Sequence, residues 1–269
     1  MADFTSSLYN MRLMDDLACK DTFVHKLHPL IKILTTIAYL FVVVSYDRHE
    51  IIGLLPMVFY PVVVFFLAEL PVKQVLARLL LIEPFIIAIG ILNPFFDSQV
   101  ITVGGLALSR GWITFASILL KSLFTITAAL ILICTTGMDK LAAGLRMLKV
   151  PRLFVLQLLL TYRYISVLIE EVSRSIRAYK LRAPQQKGIH PGVWGTLVGQ
   201  LLLRTIDRAE RVYQAMSVRG FTGEYYTGAD TRITIRDGAY FGGWLLFFIL
   251  ARMVNIPLMI GLLISGVIS

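Results

Sequence analysis

The sequence predicts an all-α integral membrane protein with about five transmembrane helices and one cytoplasmic helical domain. Three observations carry that prediction. Of 269 residues, 57% are hydrophobic and 16% charged, too apolar a balance for the surface of a soluble chain of this size. Several apolar stretches are long enough to cross hydrocarbon about 30 Å thick at about 1.5 Å per residue. The positive charge is concentrated: of 26 Lys+Arg and 17 Asp+Glu, 16 and 8 fall in the 102 residues from Thr136 to Asp237. Lysine and arginine in membrane-protein loops mark the cytoplasmic side. The formal charge of +9 therefore needs no nucleic-acid partner.

Read in order, residues 1–29 form a cytoplasmic N-terminal arm with Asp3, Asp15, Asp16 and Asp21. It lacks the basic start, apolar core and small-residue cleavage site of a signal peptide. Residues 30–135 hold four spans: Leu30 to Tyr46, Ile51 to Ala68, Leu79 to Phe96 and Ile113 to Thr135. Asp47-Arg48-His49-Glu50 makes a tight turn outside the membrane, and Glu83-Pro84 and Asn93-Pro94 are expected to interrupt the third span. Residues 136–237 are the cytoplasmic domain, and 238–269 hold the fifth span, Tyr240 to Ile264. Five crossings put the N-terminus inside and the C-terminus outside. Lys73, Arg78 and the arm's Arg12, Lys20, Lys26 and Lys32 then all lie on the cytoplasmic side.

Within the basic domain, Met138 to Leu148 reads as a short helix stopped before Pro151, and Arg152 to Leu181 as a long one ended before Pro184. A third runs from Val193 to Val218, with Leu202, Ile206, Ala209, Tyr213 and Met216 on one face and Arg204, Arg208 and Arg211 opposite. The two longer helices both end in a short arginine motif, Leu181-Arg182-Ala183 and Val218-Arg219-Gly220. A guanidinium offers five donors in a planar fork and stays charged, which suits a partner's carboxylates. The plainer reading is that Arg219 complements the helix dipole and Gly220 is a left-handed cap. The repetition of the pattern favours docking.

The second motif resembles the Ala-Arg-Gly signature of the transmembrane T component of energy-coupling-factor (ECF) transporters, and the first resembles its partner copy. Leu181 and Ala183 depart from that copy, where alanine and glycine are usual. Met14-Asp15-Asp16-Leu17-Ala18, Asp21, His25-Lys26-Leu27-His28-Pro29 and Lys32 are similar to the start of the cobalt-transport T proteins, the CbiQ family. Leu148-Lys149-Val150-Pro151 and Leu160-Thr161-Tyr162-Arg163-Tyr164 resemble that family's entrance into its long helix. The resemblance implies that 136–237 is a coupling domain in an importer of cobalt or nickel ions in a bacterial or archaeal cell membrane. Arg182, Arg219, Gly220, Leu181, Ala183 and Val218 would dock two cytoplasmic ABC-type ATPase subunits, or a homodimer. The chain would link them to a membrane substrate-binding S component. ATP and magnesium would be used by the ATPases, with no cofactor on this chain. The alternatives are a T subunit shared among vitamin-specific components, and a membrane enzyme or scaffold.

The chain carries no Gly-x-x-x-x-Gly-Lys-Ser/Thr phosphate loop, so it is read as non-catalytic. Cys19 and Cys134 stand far apart and fit neither a disulfide framework nor a zinc site. His25 and His28 complete no tetrahedral ligand set and are read as structural or interfacial. Glu83, near the inner end of the third span, would cost at least about 2.5 kcal/mol if charged and uncompensated at a membrane centre, so interface exposure or a partner such as Lys121 or Arg252 is expected to remove most of that cost. Arg252, with Asn255, is expected to make a polar contact inside the bundle or with another subunit.

Overall fold

The computed structural model describes residues 17–47, 51–96, 100–103, 106–186, 188–223 and 233–253. The acidic arm before Leu17, Arg48-His49-Glu50 of the outside turn, and the end of the fifth span with Asn255 lie outside the described residues. In chain order the elements are α1 (Phe23–Lys26), α2 (Pro29–Ser45), α3 (Ile51–Leu54), a 3-10 turn (Leu55–Val58), α4 (Phe59–Leu67), α5 (Val72–Gly90) and α6 (Asn93–Phe96). A short hairpin follows, β1 (Val100–Val103) against β2 (Leu106–Ser109), antiparallel with Val100 opposite Ser109. Then come α7 (Arg110–Thr136), α8 (Met138–Met147), α9 (Arg152–Arg182), α10 (Pro191–Val218) and α11 (Ile235–Met253). The hairpin was not foreseen in a chain otherwise built of helices.

Two compact units divide the chain. The described residues from 17 to 137 and from 233 to 253 form one, and 138–186 with 188–223 form the other. In the first, α7 packs against α2, α5 and α6, and α11 packs against α2. Large apolar side chains point outward from it, among them Phe41, Phe66, Leu81 and Phe85, all more than two-thirds exposed. That surface is suited to lipid and not to water. By length and composition, α7 and α9 are each apolar enough to cross a membrane, and Pro29–Ser45 and Ile51–Leu67 are shorter apolar helices. The fold is that of an all-α membrane protein.

Proline explains why a tyrosine of another helix bonds to the backbone of the second apolar segment. Pro61 has no N–H, so the carbonyl four residues earlier, Met57, loses its helical donor. Tyr39 of α2 supplies the replacement, its buried hydroxyl donating to Met57 O at 3.0 Å. The Tyr39 ring lies 4.6 Å from that of Tyr60 and 5.5 Å from that of Phe248, centroid to centroid, and Trp244 meets Tyr60 edge-on at 4.9 Å. Aromatic pairs in these offset and edge arrangements join α2, α4 and α11 into one core.

Two expectations about the third span are corrected. Its helix starts earlier, at Val72, and Glu83-Pro84 does not interrupt it, because α5 continues through Pro84 to Gly90. Helical bonding is the only way to satisfy an isolated segment's peptides in hydrocarbon, so one lost donor does not end the helix. The break falls at Ile91-Leu92, where Asn93 Nδ2 donates to Gly90 O at 3.1 Å and takes over a terminal carbonyl. The chain then returns so closely that a Cβ on Gly111 would sit 2.6 Å from Pro94 Cα and 2.7 Å from Asn93 O. Backbone cannot yield there as a side chain can.

Charged groups close the helix ends. Lys20 Nζ donates to Glu69 O (2.7 Å), just beyond α4, and Lys32 Nζ to Thr135 O (2.9 Å), in the last turn of α7. At the end of α2, Lys121 Nζ donates to Tyr46 O (2.6 Å) and Arg252 Nη2 to Ser45 O (3.2 Å). Buried Asp237 serves two N-termini, accepting from His28 N ahead of α2 and Thr234 N ahead of α11, each at 2.8 Å. Lys32 was expected among the cytoplasmic loop charges, yet only 3% of it is exposed.

In the second unit, α8 folds back on α9 around Ala142, Val155 and Leu159. Lys149, in the left-handed region at φ 63°, makes the reversal, and Val150 N donates to Leu145 O at 3.3 Å.

Two substitutions test this account of the membrane unit. Tyr39→Phe leaves Met57 O without its donor and is expected to cost about 1–2 kcal/mol, read as an earlier midpoint when the purified chain is unfolded in mixed micelles. Gly111→Val is expected to lower the thermal midpoint and yield, whereas Gly243→Val, whose Cβ would meet nothing within 4 Å, leaves packing within this chain unchanged. Equal midpoints for Gly111→Val and the parent would contradict the close return of α7 on Asn93-Pro94.

Candidate docking tips and the intramembrane polar groups

The two arginine motifs lie at helix ends built by different means. α9 stops at Arg182, with Ala183 N making a last bond to Tyr179 O (3.0 Å) before Ala183 turns out of the helix and Pro184 follows. At the end of α10, Gly220 takes φ +77°. Phe221 N donates to Met216 O and Gly220 N to Ser217 O, both at 3.0 Å. This six-to-one and five-to-two pair is a Schellman cap, which requires a left-handed residue at the glycine. The cap reading of Gly220 and the docking reading of Arg219 are therefore compatible, since the cap fixes where the arginine stands.

Each tip joins a cation to an exposed aliphatic group. Leu181 is 84% exposed and Val218 89% exposed, and Arg182 and Arg219 are exposed beside them. Among the described residues neither guanidinium has an ion-pair or hydrogen-bond partner. A surface that matches such a tip offers carboxylates next to an apolar pocket.

The structure does not bring the two tips together. Tyr179 OH accepts from His190 N (3.3 Å) and donates to Gln186 Oε1 (2.5 Å), which ties the start of α10 to the end of α9. His190 also caps α10, its Nδ1 accepting from Gly192 N at 3.2 Å. Arg182 therefore lies near the beginning of α10 and Arg219 at its far end, 28 helical residues away. At about 1.5 Å per residue the two are on the order of 40 Å apart. One small groove cannot hold both.

The intramembrane candidates each have a polar neighbour within the first unit. Glu83 of α5 faces Ser122 of α7, whose hydroxyl lies 3.3 and 3.4 Å from the two carboxylate oxygens. Lys121 and Arg252, the possible cationic partners of Glu83, reach the end of α2. Arg252 stacks its guanidinium carbon 4.5 Å from the Tyr46 ring centroid while Tyr46 OH donates to Ala251 O at 3.2 Å. Residue order alone could not show this, because Arg252 and Ser45 are 207 positions apart.

The sequence reading missed Asp237 and Tyr179. Asp237 carried a signal, since Thr234-Ile235-Arg236-Asp237 has the spacing of a capping box, in which an acid three residues on reaches back to the N-cap N–H. Tyr179 carried none.

Comparison with known proteins sets these features in a family. The family described as cobalt transport protein, CbiQ, matches residues 20–227. The nickel permease LarQ of Lactiplantibacillus plantarum is 31% identical over 103 residues, 38% of each chain. Protein MJ1571 of Methanocaldococcus jannaschii, described as uncharacterized, is 27% identical over 187 residues, 65% of this chain and 64% of its own. A Ycf92-like protein of Nostoc is 33% identical over 111 residues, 38% of this chain and 36% of its own. Each match thus spans less than two thirds of the relative. The family match reaches into both units and covers both arginine motifs, and the chain belongs to the CbiQ family of cobalt transport proteins.

Proposed function

We propose that this chain is the T component of an ATP-driven ECF importer for cobalt or nickel ions. It passes the closure of two cytoplasmic ATPase subunits, or of a homodimer, to a membrane substrate-binding S component. The observation that carries the reading is the pair of exposed tips, Leu181-Arg182 and Val218-Arg219, held at opposite ends of α10. A spacing on the order of 40 Å suits one tip to each of two ATPase subunits. The nickel permease among the relatives and the cobalt description of the family support a transition-metal cargo.

In this reading the membrane unit, its last helix included, makes five crossings, with the N-terminus and residues 136–237 cytoplasmic. The second half of α9 carries Glu170, Glu171, Arg174, Arg177, Lys180 and Arg182. Hydrocarbon would penalise those charges heavily, so this half belongs in water although its first half is apolar enough for a membrane. The chain itself is non-catalytic: ATP and magnesium are bound by its partners, and no cofactor resides here. Ala183 and Gly220 end the helices so that the arginines face outward.

Arg219→Glu is expected to weaken ATPase association by at least about 2 kcal/mol, the threshold of an interface hot spot, with membrane insertion unchanged. Arg182→Glu should act in the same way at the other tip. Each single reversal is expected to lower the ATPase:chain ratio on affinity purification and to abolish metal-dependent uptake, and the double reversal should release both ATPase copies. Full assembly and uptake in the Arg182→Glu/Arg219→Glu chain would overturn the docking assignment.

A further inference from the structure

We propose that the ion pair between Glu171 and Arg204 is a positioning device that fixes the opening between α9 and α10, and through it the placement of Arg219 relative to Arg182. The structural claim stands alone. Its consequence for transport rests on the coupling function proposed above.

The argument starts from how little else joins these helices. They meet over a short stretch, and on α10 Leu202, Leu203 and Ile206 all remain roughly half exposed or more, so apolar packing between them is thin. One tie is the loop, where Tyr179 holds His190 N and Gln186. A tie at the loop alone leaves a hinge. The second tie is Arg204 Nη1 on Glu171 Oε1 at 2.6 Å, with Arg174 Nη1 3.9 Å from Glu171 Oε2. Glu171 is the more sheltered partner, its side chain 18% exposed against 58% for Arg204.

Leverage makes this pair matter. Arg204 lies 13 residues beyond Pro191, about 20 Å along the helix, and Arg219 stands about 20 Å further on. Rotating α10 by about 10° around the loop would carry Arg219 through roughly 7 Å, more than the reach of a docking contact. An ion pair this exposed adds little to stability. Its effect is directional, since two separated ties fix an angle that one cannot.

The test uses the full chain in detergent, with Cys19→Ala and Cys134→Ala removing native thiols and spin labels attached at Lys180→Cys and Gln214→Cys, outside the docking motifs. Pulsed dipolar spectroscopy should give one narrow distance, on the order of 35 Å. Glu171→Ala and Arg204→Ala should each broaden it severalfold, and the double variant should broaden it no further than either single, the signature of one shared interaction. Tyr179→Phe should broaden it independently and additively. A distribution unchanged by Glu171→Ala in a chain with normal helical content overturns the proposal, as does additive broadening by the two alanines. Arg219→Glu in the same labelled chain separates the two readings, because it should leave the distance intact while ATPase association falls.

Discussion

The last four carbonyls of a helix have no donor within it, and they carry the negative end of its dipole. Within hydrocarbon neither problem can be handed to water, and where these ends reach the surface protein cations still take the carbonyls. The membrane unit meets both with cations sent from elsewhere: Lys20 beyond α4, Lys32 at the end of α7, and Lys121 and Arg252 at the end of α2. Each cap is also a cross-link, because donor and acceptor belong to different elements. Asp237 does the converse work for two N-termini at once. Much of what holds α2, α7 and α11 in register is thus the closing of helix ends, with the aromatic core of Tyr39, Tyr60, Trp244 and Phe248 filling the space between.

This division of labour separates what was legible in the sequence from what was not. Membrane class, helix content and the ends of α9 and α10 follow from local rules, namely apolar run length, Pro184 after one motif and Gly220 inside the other. Pairing was not legible. Lys32 reads as one more loop charge until Thr135, 103 residues later, is brought to it. Of the two ways to relieve Glu83, a cationic partner and interface exposure, sequence could not choose, nor could it name Ser122 as its neighbour, while Lys121 and Arg252 reach the carbonyls at the end of α2. Pro84 looked like a break because proline removes a donor, but an apolar surround keeps the rest of the helix intact. The charge-defined domain from 136 to 237 also ends in a residue, Asp237, that is buried in the membrane unit.

The second unit shows the opposite economy. Beyond the small core between α8 and α9, its two long helices are exposed along much of their length, with no side chain of α10 buried. Such a unit holds few contacts that resist motion, yet its ends are capped and its hairpin is tied at two points. Long helices with two separated cationic tips fit the coupling role proposed above.

The most direct test of the central claim is the stoichiometry of the intact complex, measured by native mass spectrometry after affinity purification from the source membranes in mild detergent. The coupling account predicts two ATP-binding subunits, or two copies of one, with a single copy of this chain and a small membrane protein. Recovery of the chain with one ATPase subunit, or alone even after cross-linking, would contradict the assignment of one tip to each ATPase.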